Sequence, residues 1–347
     1  MLVFSDRHHE SLYSSLVMLF EDRLGGELYY PLGMEWYEQG YWNVYPHPAT
    51  AKQYLSLDQL YHPEDGTPPL NQIMEIHEGI FSVESTDTHK YIKGIRLDKF
   101  KEMRFDILIA TLPQHIEPFK KLISTYQPQA KLIYQIGNQW NIDLTVVKNV
   151  MASANIDIPK DVNGVIYHQE FDLNIFDYTP VPMAKKIYSF INCLSMVDIY
   201  RKDWELFLEL ERLLPDWEFK SFGGQCRDGW CNGTKELADK MKEAAFIFAC
   251  KNEGDGYGHV IHNAAAIGRP LIVRKSDYDG KLAEPLLEMS TSIYVDNKTP
   301  QEIASEIQET HDNGFDYLKG KRIYTKFKEQ VNFDHEIHKI RNFLDFL

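Results

Sequence analysis

Residues 246–273 read FIFACKNEGDGYGHVIHNAAAIGRPLIV. The apolar run Ala245 to Cys250, bounded by polar and glycine-rich residues, predicts a strand buried on both faces. Three glycines follow within the seven residues Asn252 to Gly258, so the backbone there can turn tightly and approach a ligand closely. From His259, the spacing of Val260, Ile261, Ala264, Ala265 and Ile267 predicts a short helix, with Gly268 as its C-cap and Pro270 beyond it. Leu271 to Val273 returns as a second buried strand. A strand, glycine loop, helix and strand in this order put the open N-terminus of a helix against the loop. Unpaired N–H groups and the helix dipole favour an anion there.

The residues Asp255 to Pro270 resemble the donor-site signature of retaining glycosyltransferases of family 4 and their GT-B relatives, E-G-F-G-x-x-x-x-E-A-x-A-x-G-x-P, in register over sixteen positions. The resemblance implies a GT-B fold, two doubly wound α/β Rossmann-like domains facing a cleft, and a nucleotide-sugar donor bound mainly by the second. The two family glutamates are replaced by Asp255 and Asn263. By resemblance the first contacts the transferred sugar and the second the ribose hydroxyls. Asp keeps a charged acceptor on a shorter side chain, whereas Asn binds a hydroxyl without charge assistance. Gly254, Gly256, Tyr257, Gly258 and His259 complete the expected donor loop. The same resemblance implies retention of anomeric configuration, with no metal and no other cofactor. A strand-to-helix turn with no ligand is the alternative reading of the stretch.

Outward from this stretch, 347 residues suit two domains of ordinary size, and 44% apolar with 25% charged residues is the composition of a chain that folds around sizeable cores. Charge appears after four residues in MLVFSDRHH and no apolar run approaches the length a bilayer needs, so a cytoplasmic protein without a transmembrane segment is expected. The cysteines at 193, 226, 231 and 250 lack the spacing of a zinc site and read as reduced and structural. Net charge is −14, and residues 1–180 hold 14 Lys and Arg against 24 Asp and Glu, which argues against a broad polyanion-binding face. The exception is the run from His89 to Arg104, with six cations against Asp98 and Glu102. It reads either as a solvated helix or as a contact with an anionic acceptor.

In chain order, Leu2 to Phe4 and Glu27 to Tyr30 read as strands around a helix, and the turn between the first strand and that helix holds His8 and His9. By resemblance this turn faces the reacting sugar. Residues 34–80 are irregular, aromatic and Pro-rich, as binding loops often are. A buried strand at Phe105 to Thr111 leads through His115 to a helix from Ile116, and another strand ends at Gly137-Asn138. His115 is either an acceptor-side catalytic residue or a helix-entry residue without chemistry. The segment Phe171 to Met183, with Pro180 and Pro182, marks the domain junction, giving domains at 1–180 and 181–330 and a C-terminal helix over 331–347 that crosses back to the first.

In the second domain, Ile187 to Leu194 is the first strand, and Arg201 and Lys202 lie in the loop before a helix from Asp203. By resemblance these cations sit against the donor diphosphate, where fixed positive charge stabilises a leaving phosphate. Gly223-Gly224 ends the next strand, close to where a nucleobase or ribose could lie. The implied reaction is sugar transfer from a nucleotide sugar to a glycan, a small molecule or a modified nucleobase in DNA. A nucleotide-sugar epimerase or hydrolase, and a binding protein without catalysis, remain as alternatives.

Overall fold

The computed structural model describes all residues except 8, 34, 37–38, 42–72, 86–89, 138–142, 194–197, 252–255 and 314–316, and it leaves the side chains of 73, 192–193, 198–202 and 317–318 undescribed. The chain divides into two compact units, Met1–Phe171 with Phe333–Leu347, and Asp172–Asn332.

In the first unit, β1 (Leu2–Ser5), β2 (Glu27–Pro31), β5 (Lys90–Ile95), β6 (Ile107–Ala110), β7 (Lys131–Ile136), β8 (Asn149–Ala152) and β9 (Asn163–Ile166) are mutually parallel. Two further strands, β3 (Ile73–His77) and β4 (Ile80–Ser85), add antiparallel pairs, so the sheet order is β3-β4-β5-β2-β1-β6-β7-β8-β9. This hairpin falls where the sequence looked irregular. Alternation builds two cores. Val3, Leu28, Ile107 and Ile109 face one cluster, while Phe4, Tyr29, Leu108 and Ala110 face the other. Successive side chains of a strand point to opposite faces, and a parallel sheet covered on both sides buries both sets. Helix α1 (Glu10–Val17), prolonged by a π-helical turn at Met18–Arg23, covers the first face through Leu12, Leu16, Val17 and Phe20.

The run expected as a solvated helix from His89 to Arg104 is instead β5 followed by the short α2 (Leu97–Glu102). Alternation of Ile92 and Gly94 with Tyr91 and Lys93 suits a strand, and the buried face won over helix-forming lysines. Four of its six cations are matched: Lys90 pairs with Asp22, Lys93 lies 3.6 Å from Glu21 and 3.5 Å from Glu27, Arg96 is 3.2 Å from Glu35, and Lys99 is 2.9 Å from Glu102.

The second unit holds β10 (Lys186–Cys193), β11 (Glu218–Gly224), β12 (Phe246–Phe248), β13 (Leu271–Val273) and β14 (Ser292–Tyr294), all parallel in the order β11-β10-β12-β13-β14. β12 and β13 are buried along their whole length, which explains why three unbroken apolar residues suffice for each. Of the remaining helices, α3 (Pro113–Tyr126) follows β6, with Pro113 in its first turn; it starts three residues before the expected Ile116. Helix α4 (Asp198–Leu213) follows β10, α5 (Gly233–Glu243) follows β11, α6 (His259–Ile267) follows β12 and α7 (Pro300–Asp312) follows β14. Thr299 and Glu302 close a capping box on α7, its hydroxyl accepting from the Glu302 N–H at 3.3 Å. Helix α8 (Tyr317–Gln330) crosses the end of α6 at two glycines. A Cβ on Gly268 would sit 2.7 Å from the Gly320 carbonyl, and Gly268 has a φ of +76°.

The division falls at 171/172 rather than 180. Phe171 packs edge-on against Phe333 at 5.5 Å within the first unit, whereas Asp177 pairs with Lys242 and the Thr179 carbonyl accepts from Arg269 at 2.6 Å within the second. Helix α9 (Phe333–Asp345) belongs to the first unit. Its Ile337, Ile340 and Phe343 enter the core beside Leu16 and Val165, the His168 N–H donates to Glu336 at 2.5 Å, and Arg23 bridges Glu170 and Asp334. Among the described residues no helix is long and apolar enough to cross a membrane. Cys231 and Cys250 are free thiols, and burial pushes the Cys250 thiol well above its ordinary range.

Arg269 is fully buried and donates to three carbonyls: those of Thr179 at 2.6 Å, Lys242 at 2.9 Å and Ile267 at 3.2 Å. The last two belong to the C-terminal turns of α5 and α6, so one guanidinium serves the negative ends of two helices and tethers the entering chain. Burial pulls its pKa down to about 10, which leaves it charged at neutral pH. Arg269→Met should therefore destabilise the second unit by about 3 kcal/mol, because carbonyls lose charged donors. Differential scanning calorimetry should show a fall in Tm of roughly 6 to 12 °C.

Candidate functional site

In the second sheet, strand order reverses between β10 and β12, and ligands of open α/β sheets bind outside the carboxyl ends of the strands at such a reversal. The chain leaves β12 through Ala249 to Lys251 and returns at Gly256 to Gly258, directly before α6. Gly258 is the N-cap, in the left-handed region at φ +80°, and a Cβ there would lie 3.2 Å from the Ala283 Cβ and 3.4 Å from the Tyr278 ring. Only glycine meets both conditions without strain. An N-cap without a side chain and a first turn without an acidic residue leave α6 with no side-chain cap. This contrasts with the capping box on α7.

Tyr257 is buried and lies flat against His262, ring centroids 4.1 Å apart at 10°, and meets His259 edge-on at 4.9 Å. His262, fully buried, donates from Nδ1 to the Gly258 carbonyl at 2.9 Å. Asn263 is 7% exposed, and its Oδ1 has no hydrogen-bond partner among the described residues. A buried amide oxygen without a donor is an uncommon feature in a folded protein. Gly223 and Gly224 end β11, the neighbour of β10, and a tight turn follows in which the Gly223 N–H donates to the Gly229 carbonyl at 2.8 Å.

Arg201 and Lys202 lie inside α4, not in the loop before it, because the helix begins at Asp198 and not at Asp203. An acidic residue in the first turn favours that earlier start. Their side chains lie outside the described residues, as do His8, Gly254 and Asp255 entirely. The next residue, Asp203, is buried and accepts from Arg274 Nη2 at 3.0 Å, which ties α4 to the end of β13. Arg274 also lies 3.7 Å from Asp277. Burial pushes the Asp277 carboxyl up to about 6, with Asp203 and Asp296 adding repulsion and Arg274 opposing it. Sequence reasoning missed this ionic cluster; the only signal was the charged run Arg274-Lys275-Ser276-Asp277 after a buried strand.

In the first sheet the reversal lies between β1 and β6. His9 is exposed and is the N-cap of α1, making no side-chain cap. His115 has no exposed surface. Its Nδ1 is bonded to Asp6, whose carboxylate also accepts from the Thr111 N–H at 3.0 Å and from the Thr111 hydroxyl. The ring therefore links β1, the end of β6 and α3 from inside the unit.

No family model and no curated protein matches the chain. Solved structures do match it along nearly their whole length. Sucrose-phosphate synthase from Thermosynechococcus elongatus is 11% identical, with a TM-score of 0.58, over 99% of this chain and 98% of that one. HepE of Anabaena in complex with UDP and glucose is 10% identical, with a TM-score of 0.60, over 100% and 99%. An alpha-glucosyltransferase in complex with UDP and a 13-mer DNA containing a HMU base is 10% identical, with a TM-score of 0.56, over 99% and 98%. The fold is GT-B. In this GT-B chain the left-handed Gly258, the open start of α6 and the buried Asn263 lie at the carboxyl edge of the second sheet.

The Asp277 carboxyl carries a testable sign. Its folded pKa of about 6 exceeds the ordinary 3.8, so the native state holds the proton more tightly and stability falls as pH rises between those values. Asp277→Asn removes that cost. The variant's Tm relative to wild type should rise from pH 4 to pH 8, as read by thermal unfolding across the range; a difference independent of pH would contradict the assignment.

Proposed function

We propose that this chain is a nucleotide-sugar glycosyltransferase, with the donor diphosphate at the N-terminus of α6. The observation that carries this reading is the helix start at Gly258 without a side-chain cap, at the strand reversal of the second sheet, with the Oδ1 of Asn263 in the second turn of the same helix lacking a partner among the described residues. First-turn N–H groups and the helix dipole supply positive potential to a diphosphate, and a buried amide oxygen gains a partner when a ribose hydroxyl arrives. Neighbours of the same fold were captured with UDP, UDP and glucose, or UDP-glucose, which makes a uridine donor the first to test. Arg201 and Lys202 add charge stabilisation of the leaving diphosphate, and Asp255 accepts hydrogen bonds from the transferred sugar. Transfer proceeds with retention and without a metal ion, the leaving phosphate oxygen assisting deprotonation of the acceptor hydroxyl on the same face.

The acceptor is a hydroxyl compound other than duplex DNA. In the cationic run of the first unit, from Lys90 to Arg104, four of the six cations are already paired with carboxylates, so little counter-charge is left there to displace DNA counterions.

Titration with UDP, UDP-glucose and uridine, followed by thermal shift, tests the donor site, since selective binding raises stability by mass action. Asn263→Ala should fold normally and lose about 0.5–1.5 kcal/mol of UDP affinity. Asp255→Asn should lower turnover while UDP affinity stays constant. Incubating UDP-glucose alone separates transfer from isomerisation or hydrolysis, and activity that survives EDTA supports metal independence. A wild-type protein stabilised by neither UDP nor UDP-glucose would overturn the uridine assignment.

A further inference from the structure

His262 is a histidine on the second turn of α6, with no exposed surface and no part in the donor signature. Gly258 and Tyr257 define its place. Its Nδ1 lies 2.9 Å from the Gly258 carbonyl, which also accepts the His262 backbone N–H at 3.1 Å. A carbonyl oxygen only accepts, so Nδ1 carries the proton. The imidazole also stacks on Tyr257 at 4.1 Å and 10°, one residue before the left-handed Gly258.

The Gly258 carbonyl and the His259 N–H belong to one planar trans peptide and point in opposite directions. A carbonyl held down the helix by two donors therefore fixes the His259 N–H outward, away from the first turn. Without the second donor, a left-handed glycine at the mouth of a helix has many accessible backbone states. The stacked tyrosine adds a lever from the other side, because Tyr257 cannot move without leaving the imidazole face.

We infer that His262 is a positioning residue for the donor diphosphate. It aligns the peptide between Gly258 and His259 so that the His259 N–H meets a phosphate oxygen, and through Tyr257 it fixes the end of the glycine loop. The inference rests on the proposed donor site and adds a residue that acts through the backbone without touching the nucleotide. Preorganisation of this kind acts on the phosphate-binding N–H groups and leaves contacts to base and ribose in place.

Two variants of the full chain separate the contacts. His262→Phe keeps a flat ring against Tyr257 and removes the donor, and His262→Asn keeps a donor near the Nδ1 position and removes the ring. Isothermal titration with UDP and with uridine, alongside thermal unfolding, should show His262→Phe losing about tenfold in UDP affinity. Its uridine affinity should stay within about twofold, and His262→Asn should recover most of the UDP loss. An equal loss for UDP and uridine in His262→Phe would overturn the positioning role, because a general loosening of the fold weakens both ligands. UDP binding as weak in His262→Asn as in His262→Phe would also overturn it. A wild-type protein that binds uridine and UDP equally would instead remove the diphosphate from this helix, and the inference with it.

Discussion

The backbone at Gly258 has to turn left-handed within a tight shell, with Ala283 and Tyr278 crowding the place of a Cβ. That constraint fixes how the chain passes from β12 to α6, and so where the helix begins and which N–H groups it leaves open. Much of the second sheet's carboxyl edge then follows. Tyr257 lies against His262, His262 holds the Gly258 carbonyl, and Asn263 is carried into a buried position on the next turn. Gly268 closes the same helix with a second left-handed residue, where α8 passes too close for any side chain.

Electrostatics at this edge are built from neighbours that restrain one another. Asp203 and Arg274 join α4 to β13, and Asp277, crowded by burial and by other carboxylates, holds its proton up to about pH 6. Lys275 is engaged by Glu284 at 2.7 Å and by Asp279, while the Lys275 N–H donates to Asp296 at 2.7 Å. The segment after β13 is therefore fixed by its own charges. In the first unit the same economy of charge applies: Lys90, Lys93, Arg96 and Lys99 are spent on the π-helical turn after α1 and on nearby carboxylates.

Buried polar side chains act as joints in both units. Arg269 serves the ends of α5 and α6 and holds Thr179 in the entering chain, and Asp6 collects Thr111 and His115 across β1, β6 and α3. Such groups are costly to bury and stay in place because their hydrogen bonds are made. For His115 this changes the reading: an imidazole without exposed surface, tied to a carboxylate, first of all joins three elements of the unit.

The local order of strand, glycine loop, helix and strand over residues 246–273 was legible in the sequence, because continuous apolar runs, glycine caps and helical spacing act over a few residues. Two doubly wound sheets were legible for the same reason. The hairpin of β3 and β4, the strand at β5 and the earlier start of α4 were not, since a lysine-rich stretch becomes a strand only when a neighbour such as β2 offers hydrogen bonds and a face to bury. The glycines marked the turn into α6 by themselves. The contacts of His262, Asp203, Arg274 and Asp6 were decided only by tertiary structure, because each depends on partners brought from other strands and helices, or on a ring settling against a turn whose conformation the surrounding packing imposes.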